Sequence, residues 1–158
     1  MTKIISIDPG YERLGIAVFE DGKLLFSECF KTSAALEFSK RILLIGIHLQ
    51  EIIDQHKPTV FTIENLFLNT NHKTVMKVSE VRGVLIYVAE INKLKIHEFT
   101  PLQIKAAITG SGRSDKLAVE KMIKILLPDI AKMERRVDDE YDAIACGLAY
   151  FALKKTLC

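Results

Sequence analysis

The sequence contains no long hydrophobic run and no pair of closely spaced cysteines. Its longest apolar stretch, residues 144–153, is too short to cross a bilayer, which takes about 20 residues. The three cysteines, Cys29, Cys146 and Cys158, are an odd number and lie far apart. This spacing argues against a disulfide framework or a thiolate metal site and favours a reducing compartment. Because Met1 leads almost directly into a predicted strand, we expect no signal peptide and a soluble, cytoplasmic protein.

The chain also lacks a strong charge imbalance, internal repeats and low-complexity segments. Its 158 residues carry a formal net charge of only +2. Such a charge neither requires nor excludes a polyanionic partner, because the position of the charges matters more than their sum. With 49% hydrophobic and 27% charged residues and no linker-like segment, the composition predicts a single globular domain over residues 1–158.

Hydrophobic periodicity and turn residues predict alternating strands and helices. We expect five strands, at residues 3–8, 14–20, 23–31, 60–64 and 95–99. We expect five helices, at about residues 35–55, 74–92, 101–108, 116–127 and 138–153. Asp21-Gly22 is a strong hairpin signal, and Ser33 and Ser114 are candidate N-caps of the first and fourth helices. This order predicts an α/β fold with a five-stranded mixed sheet and helices on both faces, in which the first and fourth strands are parallel neighbours.

Two of the predicted strands end in a carboxylate. Asp8 closes the first strand just before Pro9-Gly10, and Glu64 closes the fourth. Because side chains alternate along a strand, Asp8 shares a face with Ser6, and Glu64 shares one with Thr62. The carboxyl ends of parallel strands are where α/β sheets bind ligands. The alternatives are that Asp8 accepts hydrogen bonds from its own turn and that Glu64 faces solvent.

A second pair of carboxylates lies on the last predicted helix. Asp139 and Asp142 are three residues apart, so they project from nearly one face, which continues with the small side chain of Cys146. Small side chains on this face would let the helix lie close to the sheet. The alternative is that these are N-terminal acids favoured by the helix dipole. That alternative explains Asp138 and Glu140 fully, but it explains Asp142 less well because an apolar run follows it directly.

Four carboxylates at one place predict a divalent cation. Like charges repel and raise one another's pKa, so four neighbouring carboxylates cannot all be buried as anions without a counter-charge. Oxygen-only ligands suit Mg²⁺ or Mn²⁺, and no histidine lies within these segments to favour zinc. Two such ions stabilise the attacking and leaving oxygens of a phosphoryl displacement, and one activates water.

Taken in order and at these spacings, the motifs resemble the RuvC-type Holliday-junction resolvases, a family of RNase H-like nucleases. The resemblance covers essentially the whole chain. It rests on Ile7-Asp8-Pro9-Gly10, Ile63-Glu64-Asn65-Leu66-Phe67 with Asn69 and Asn71 following, Arg82-Gly83-Val84, Thr100-Pro101-Leu102-Gln103-Ile104-Lys105, residues 110–116 and residues 139–145. One position departs from the family pattern, because Leu14 replaces the usual threonine before the glycine of the second strand.

The resemblance implies an RNase H-like fold and a Mg²⁺-dependent homodimer, with Mn²⁺ able to substitute and two ions in each active site. Such an enzyme cuts two opposed strands of a four-way DNA junction during homologous recombination and repair, leaving 5′-phosphates and 3′-hydroxyls. The resemblance also implies presentation of the junction by the RuvA–RuvB branch-migration complex. The family's four acidic catalytic and metal-binding residues match Asp8, Glu64, Asp139 and Asp142.

Contacts to DNA and to a second subunit are also implied by the resemblance. Phe67 is either a wedge that stacks on an unpaired base or a core anchor for its loop. The candidate phosphate contacts, each of which taken singly is an ordinary solvated charge, are Lys73, Lys77, Arg82, Lys105, Arg113 and Lys116. Lys116 is also the candidate for stabilising charge that develops on the phosphate. The second helix has apolar residues beyond one stripe, among them Tyr87 and Ile91, so it is either a dimer contact or a buried helix.

Two other functions stay open at the level of the sequence. One is a related RNase H-like nuclease that acts on RNA or on another branched DNA. The other is a dimer that binds four-way DNA without cutting it efficiently, although crowded acids would be of no use to a protein that only binds a polyanion. Actin-like nucleotide binding is disfavoured because the chain is too short for the second half of that fold.

Overall fold

The computed structural model describes residues 1–65, 72–131 and 137–154. Five strands form one mixed sheet in the order β3-β2-β1-β4-β5. They are β1 Lys3–Asp8, β2 Arg13–Glu20, β3 Lys23–Lys31, β4 Val60–Glu64 and β5 Lys95–Phe99. The first three run antiparallel, and β4 lies parallel to both β1 and β5. The predicted strands and the parallel pairing of the first with the fourth are therefore confirmed.

Helices cover both faces of this sheet, as predicted. The described residues form α1 Phe38–His56, α2 His72–Ile91, α3 Pro101–Thr109, α4 Lys116–Leu126, α5 Pro128–Ala131 and α6 Asp138–Leu153. Helices α1 and α2 pack on one face, and α6 packs on the other with α3 and α4 beside it. Within the described ranges, none of these helices has the length and apolar character that crossing a bilayer requires.

The predicted N-caps of two helices were wrong. Helix α1 begins at Phe38, and Ser33 instead accepts a hydrogen bond from the Ala35 N–H (3.2 Å) in a turn that precedes the helix. Helix α4 is capped by Asp115, whose carboxylate accepts a hydrogen bond from the Ala118 N–H at 2.8 Å. The hydroxyl of Ser114 instead lies 2.7 Å from that of Thr109 at the end of α3. The short helix α5 was not predicted, and it begins at a proline, which suits the first position of a helix.

Strand alternation directs alternate residues of β1 towards α6. Ile5 and Ile7 are fully buried against α1 and α2, whereas Ile4 is buried on the opposite face with α6. Ser6 shares that second face, where its hydroxyl donates a hydrogen bond to the carbonyl of Ala143 at 2.8 Å. This bond ties the middle of β1 to α6, one alternation before the carboxylate at the end of the strand.

Helix α6 lies close to the sheet because two positions at their contact are glycines, which have no side chain to hold the helix and the sheet apart. A Cβ at Gly147 would lie 2.4 Å from Cε2 of Phe19, and a Cβ at Gly15 would lie 1.9 Å from the carbonyl oxygen of Asp139. Cys146 and Ala149 on the same helix are fully buried. The expectation that small side chains let this helix approach the sheet is confirmed.

We predict that Gly147→Ala lowers the free energy of unfolding by about 1–3 kcal/mol, because the added methyl group overpacks the contact with Phe19. Urea denaturation measures the change. The matched control is Lys121→Ala, at an exposed position in α4. There, the substitution should change stability by no more than about 0.5 kcal/mol. Equal effects of the two substitutions would contradict the proposed role of Gly147.

Candidate active site

Four carboxylates converge where β1 and β4 end beside the first turns of α6. Asp8 and Glu64 are the last residues of these adjacent parallel strands. Asp139 and Asp142 belong to α6, and both act electrostatically on Asp8, as Glu64 does. The structure therefore brings together the four residues that the sequence predicts as one cluster.

Burial and mutual repulsion disfavour the charged forms of these carboxyls. The pKa of Asp8 lies well above its usual range, chiefly because of burial and then because of Asp142, Glu64 and Asp139. Burial, followed by the charge of Asp142, raises the pKa of Glu64 to about 7. Burial also raises the pKa of Asp142, although Lys116 opposes that rise. The negative charges of the cluster are therefore not fully compensated by the positive charges around them.

Two cationic side chains compensate part of this negative charge. The Lys116 ammonium lies 3.4 Å from Oδ2 of Asp142 and 3.8 Å from Oδ2 of Asp138. The Arg13 guanidinium lies 3.2 Å from Oδ2 of Asp139. Sequence reasoning missed Arg13, although strand alternation carries a signal for it. Residues 13 and 15 of β2 share a face, and Gly15 is the point where that strand meets α6.

The donor set fits a hard divalent cation. Every candidate ligand is a carboxylate oxygen, and one of them, Oδ2 of Asp139, is buried and accepts no hydrogen bond of good geometry. Within residues 1–65, 72–131 and 137–154, no three His, Cys, Asp or Glu side chains are already arranged to hold a metal ion. Lys116 and Arg13 lie against two of the carboxylates instead.

A cleft of about 200 Å³ opens beside Glu64 and Asp142. Lys105 and Lys116 line its polar side, and its apolar side is lined by Pro101, Ile104, Val119 and Ala145. Helix α3 is fixed there by a capping box, in which Thr100 and Gln103 exchange hydrogen bonds between side chain and backbone. The cleft therefore combines the carboxylates of Glu64 and Asp142 with two cations, Lys105 on α3 and Lys116 on α4.

Known proteins resemble this chain over most of its length. A family profile described as RuvC, crossover junction endodeoxyribonuclease RuvC, matches residues 4–150. This chain belongs to the RuvC family. The crossover junction endodeoxyribonuclease RuvC of Alkaliphilus metalliredigens is 38% identical over 151 residues, which cover 93% of this chain and 91% of that protein. RuvC proteins are metal-dependent nucleases.

Solved structures agree with the family assignment. The Thermus thermophilus RuvC structure superposes with a TM-score of 0.86 at 25% identity, covering 98% of this chain and 96% of that one. The same organism's RuvC in complex with a Holliday junction substrate superposes with a TM-score of 0.89 at 25% identity, covering 99% and 96%. The RNase H-like fold implied by the sequence resemblance is confirmed.

The residues predicted to contact DNA lie in different surroundings. Lys105 and Lys116 line the cleft, and Arg113 is exposed in the turn before α4. The ammonium of Lys77 lies 5.1 Å from the ring centre of Tyr11, in the loop that follows Asp8. Phe67 and the side chain of Lys73 lie outside the described residues.

Arg82 differs from the surface cation that was expected. It is only 8% exposed, on the face of α2 that packs against the sheet. Its guanidinium donates one hydrogen bond to the backbone carbonyl of Glu64 and another to Oε2 of Glu98, the second at 2.6 Å. Arg82 therefore lies behind the end of β4 and not on an open phosphate-binding surface.

Two further residues have roles that the sequence pattern did not indicate. Glu140, explained above as an ordinary N-terminal helix acid, is 8% exposed and accepts a hydrogen bond from the Ser27 hydroxyl at 2.7 Å, which ties α6 to β3. Leu14, where the RuvC family usually has threonine, is buried in the core formed with α1 and α2. Its side chain therefore lies on the sheet face opposite to the carboxylates.

The raised pKa of Glu64 predicts how metal-free stability depends on pH. Between the usual pKa of 4.5 and the folded-state pKa of about 7, the folded protein holds a proton that the unfolded chain has released. The contribution of Glu64 to stability is therefore lost as the pH rises through this range. In EDTA at pH 8, we expect Glu64→Gln to be more stable than the wild type, by on the order of 1–3 kcal/mol.

Near pH 4 this difference should almost vanish, because Glu64 is then protonated in both states. Urea denaturation at the two pH values measures it. Glu37→Gln, at an exposed position just before α1, is the control, and it should not stabilise the protein at pH 8. A stabilisation by Glu64→Gln that does not change with pH would contradict the predicted effect of burial and crowding.

Proposed function

We propose that this protein is a Mg²⁺-dependent endonuclease that resolves four-way DNA junctions by paired, symmetric cuts. The observation that carries the proposal is the complete set of four carboxylates, gathered at the ends of β1 and β4 beside α6, in a chain that belongs to the RuvC family. A RuvC structure in complex with a Holliday junction superposes closely and supports the substrate class.

In this proposal, Asp8, Glu64, Asp139 and Asp142 hold two Mg²⁺ ions, which Mn²⁺ can replace. When bound, the ions supply charge that activates water and stabilises the attacking and leaving oxygens of an in-line displacement. The products are a 5′-phosphate and a 3′-hydroxyl, which a ligase can rejoin. The crowded anions that raise the pKa of Asp8 and Glu64 become favourable ligands once a cation is present.

Cationic side chains at the cleft orient the DNA in this proposal. Lys116 lies against Asp142 yet is 68% exposed, so its ammonium can reach a phosphate and stabilise negative charge that develops on it. Lys105 lies on the same cleft and acts electrostatically on Glu64, which suits a contact to a neighbouring phosphate. Phe67, Lys73, Lys77 and Arg113 are proposed as further DNA contacts.

We also propose that the active form is a homodimer built on α1 and α2. Large apolar side chains are exposed on both helices: Met76, Tyr87 and Ile91 on α2, and Leu43 and Ile47 on α1. An exposed apolar patch of this kind typically marks a protein interface. A two-fold dimer would place one active site on each of two opposed strands of a two-fold junction. The RuvA–RuvB branch-migration complex is the proposed partner that presents the junction.

Cleavage of a labelled four-way junction tests the proposed activity. With Mg²⁺, the wild type should produce paired symmetric nicks on the junction and leave a linear duplex of the same sequence uncut. Asp8→Asn should reduce cleavage to background while junction binding remains, because the substitution removes a metal-binding carboxylate and leaves the rest of the surface intact.

Two results would contradict this function. Junction binding by the wild type without nicks in either Mg²⁺ or Mn²⁺ would indicate a protein that only binds four-way DNA. The second result is cleavage of duplex DNA or of an RNA hybrid as readily as of the junction. The protein would then still be a metal-dependent nuclease, but the junction would not be its specific substrate.

A substitution on α2 tests the dimer. Tyr87 is 63% exposed, and we expect Tyr87→Glu to convert the dimer into a monomer, because a carboxylate is costly to bury in an apolar interface. Light scattering coupled to size-exclusion chromatography measures the mass. Leu117→Glu is the matched control, at an exposed apolar position on α4, and should remain dimeric. A Tyr87→Glu protein that stays dimeric would place the interface elsewhere.

A further inference from the structure

The described part of the chain contains a buried cation that the proposed chemistry does not use. The side chain of Arg82 is 9% exposed, whereas that of its partner Glu98 is 43% exposed. Burying a guanidinium is costly unless its donors are paired. Its partners therefore indicate what the residue does, and one of them belongs to the strand end that carries Glu64.

The backbone around Glu64 is held from two sides. On one side, the N–H of Asn65 donates a hydrogen bond to the carbonyl of Phe99 at 2.8 Å, which fixes the end of β4 to β5. On the other side, Arg82 donates to the carbonyl of Glu64 itself. These two bonds act on the same peptide unit, since the carbonyl of Glu64 and the N–H of Asn65 share one plane. The orientation of that plane fixes the position of the Glu64 Cα atom, from which the side chain extends.

Glu98 holds the guanidinium in place for this contact. Glu98 of β5 pairs in register with Ile63 of β4, so its side chain lies on the sheet face that α2 covers. The Arg82–Glu98 bond of 2.6 Å is charge-assisted, and such bonds are short and strong. A planar guanidinium donates from two nitrogens held in a fixed geometry, whereas an ammonium donates from a single nitrogen at the end of a flexible side chain.

We propose that Arg82, held by Glu98, is a positioning residue that fixes the end of β4 so that the Glu64 carboxylate takes part in metal binding and cleavage. The arginine acts through the backbone of Glu64 and contacts neither the metal nor the DNA. This inference rests on the proposed function, since it assigns Arg82 to the same metal-binding site. It replaces the role of a phosphate contact that the sequence suggested for this residue.

The test compares Arg82→Lys with Glu98→Gln and with Leu49→Ala, a cavity-forming control. Leu49 is fully buried on α1 and belongs to the core of the same sheet face. Four quantities are measured for each protein. They are Mn²⁺ affinity without DNA by electron paramagnetic resonance, single-turnover cleavage at saturating junction, junction affinity in EDTA, and melting temperature.

We expect Arg82→Lys to weaken Mn²⁺ binding and to slow single-turnover cleavage by about 10- to 100-fold, the range found when residues that orient metal ligands are replaced. Junction affinity in EDTA should change by less than about twofold, since the DNA-facing surface is intact. Glu98→Gln should show smaller losses of the same kind. Leu49→Ala should lower the melting temperature and leave Mn²⁺ affinity and cleavage unchanged.

Two outcomes would overturn the inference. If Arg82→Gln, which removes the positive charge, keeps its Mn²⁺ affinity but loses junction affinity with a weaker salt dependence, Arg82 is a phosphate contact. If Arg82→Lys and Leu49→Ala show the same profile, Arg82 serves stability alone. The same measurements on the wild type distinguish a failure of this inference from a failure of the proposed function. Wild-type protein that neither binds Mn²⁺ nor cuts junctions refutes both, whereas normal wild-type behaviour with an unaffected Arg82→Lys refutes only the inference.

Discussion

The close approach of α6 to the sheet is the constraint on which the site depends. Without side chains at Gly15 and Gly147, the backbone of the helix comes within contact distance of β2 and of Phe19. The bond from Ser6 to Ala143 holds the two elements at this separation. As a result, carboxylates that are more than 130 positions apart in the sequence, Asp8 and Asp139, repel each other electrostatically. A larger side chain at either glycine would separate the two halves of the site.

This proximity concentrates negative charge, and the surrounding structure is arranged to tolerate it. Burial and repulsion raise the pKa of Asp8 and Glu64, while Lys116 and Arg13 lie against the carboxylates of α6. A site with this imbalance attracts divalent cations, and the lysines beside it offer positive charge to a polyanion that approaches the acidic groups. The electrostatics therefore favour a nuclease over a protein that only binds DNA.

The two faces of the sheet have different tasks. The α6 face carries the carboxylates and the cleft, whereas α1 and α2, on the other face, expose large apolar side chains such as Ile47, Met76 and Tyr87. Arg82 connects them, because it extends from α2 to the backbone of the residue whose side chain faces α6. Leu14 shows the same division, since strand alternation places it in the α1 and α2 core, away from the site.

The sequence by itself determined the strands, most of the helices, the parallel pairing of β1 with β4 and the four carboxylates. The strands, helices and acids follow from patterns local to each element, such as the period of the apolar residues and an acid at a strand end, and the pairing follows from the order of the elements. Tertiary structure decided the roles of Arg82, Arg13 and Glu140. A local pattern shows that a charged residue lies on a helix or strand, but not which other element covers it. Burial and pairing depend on groups distant in sequence, so only the packed fold could distinguish a buried arginine behind Glu64 from a cation on the surface.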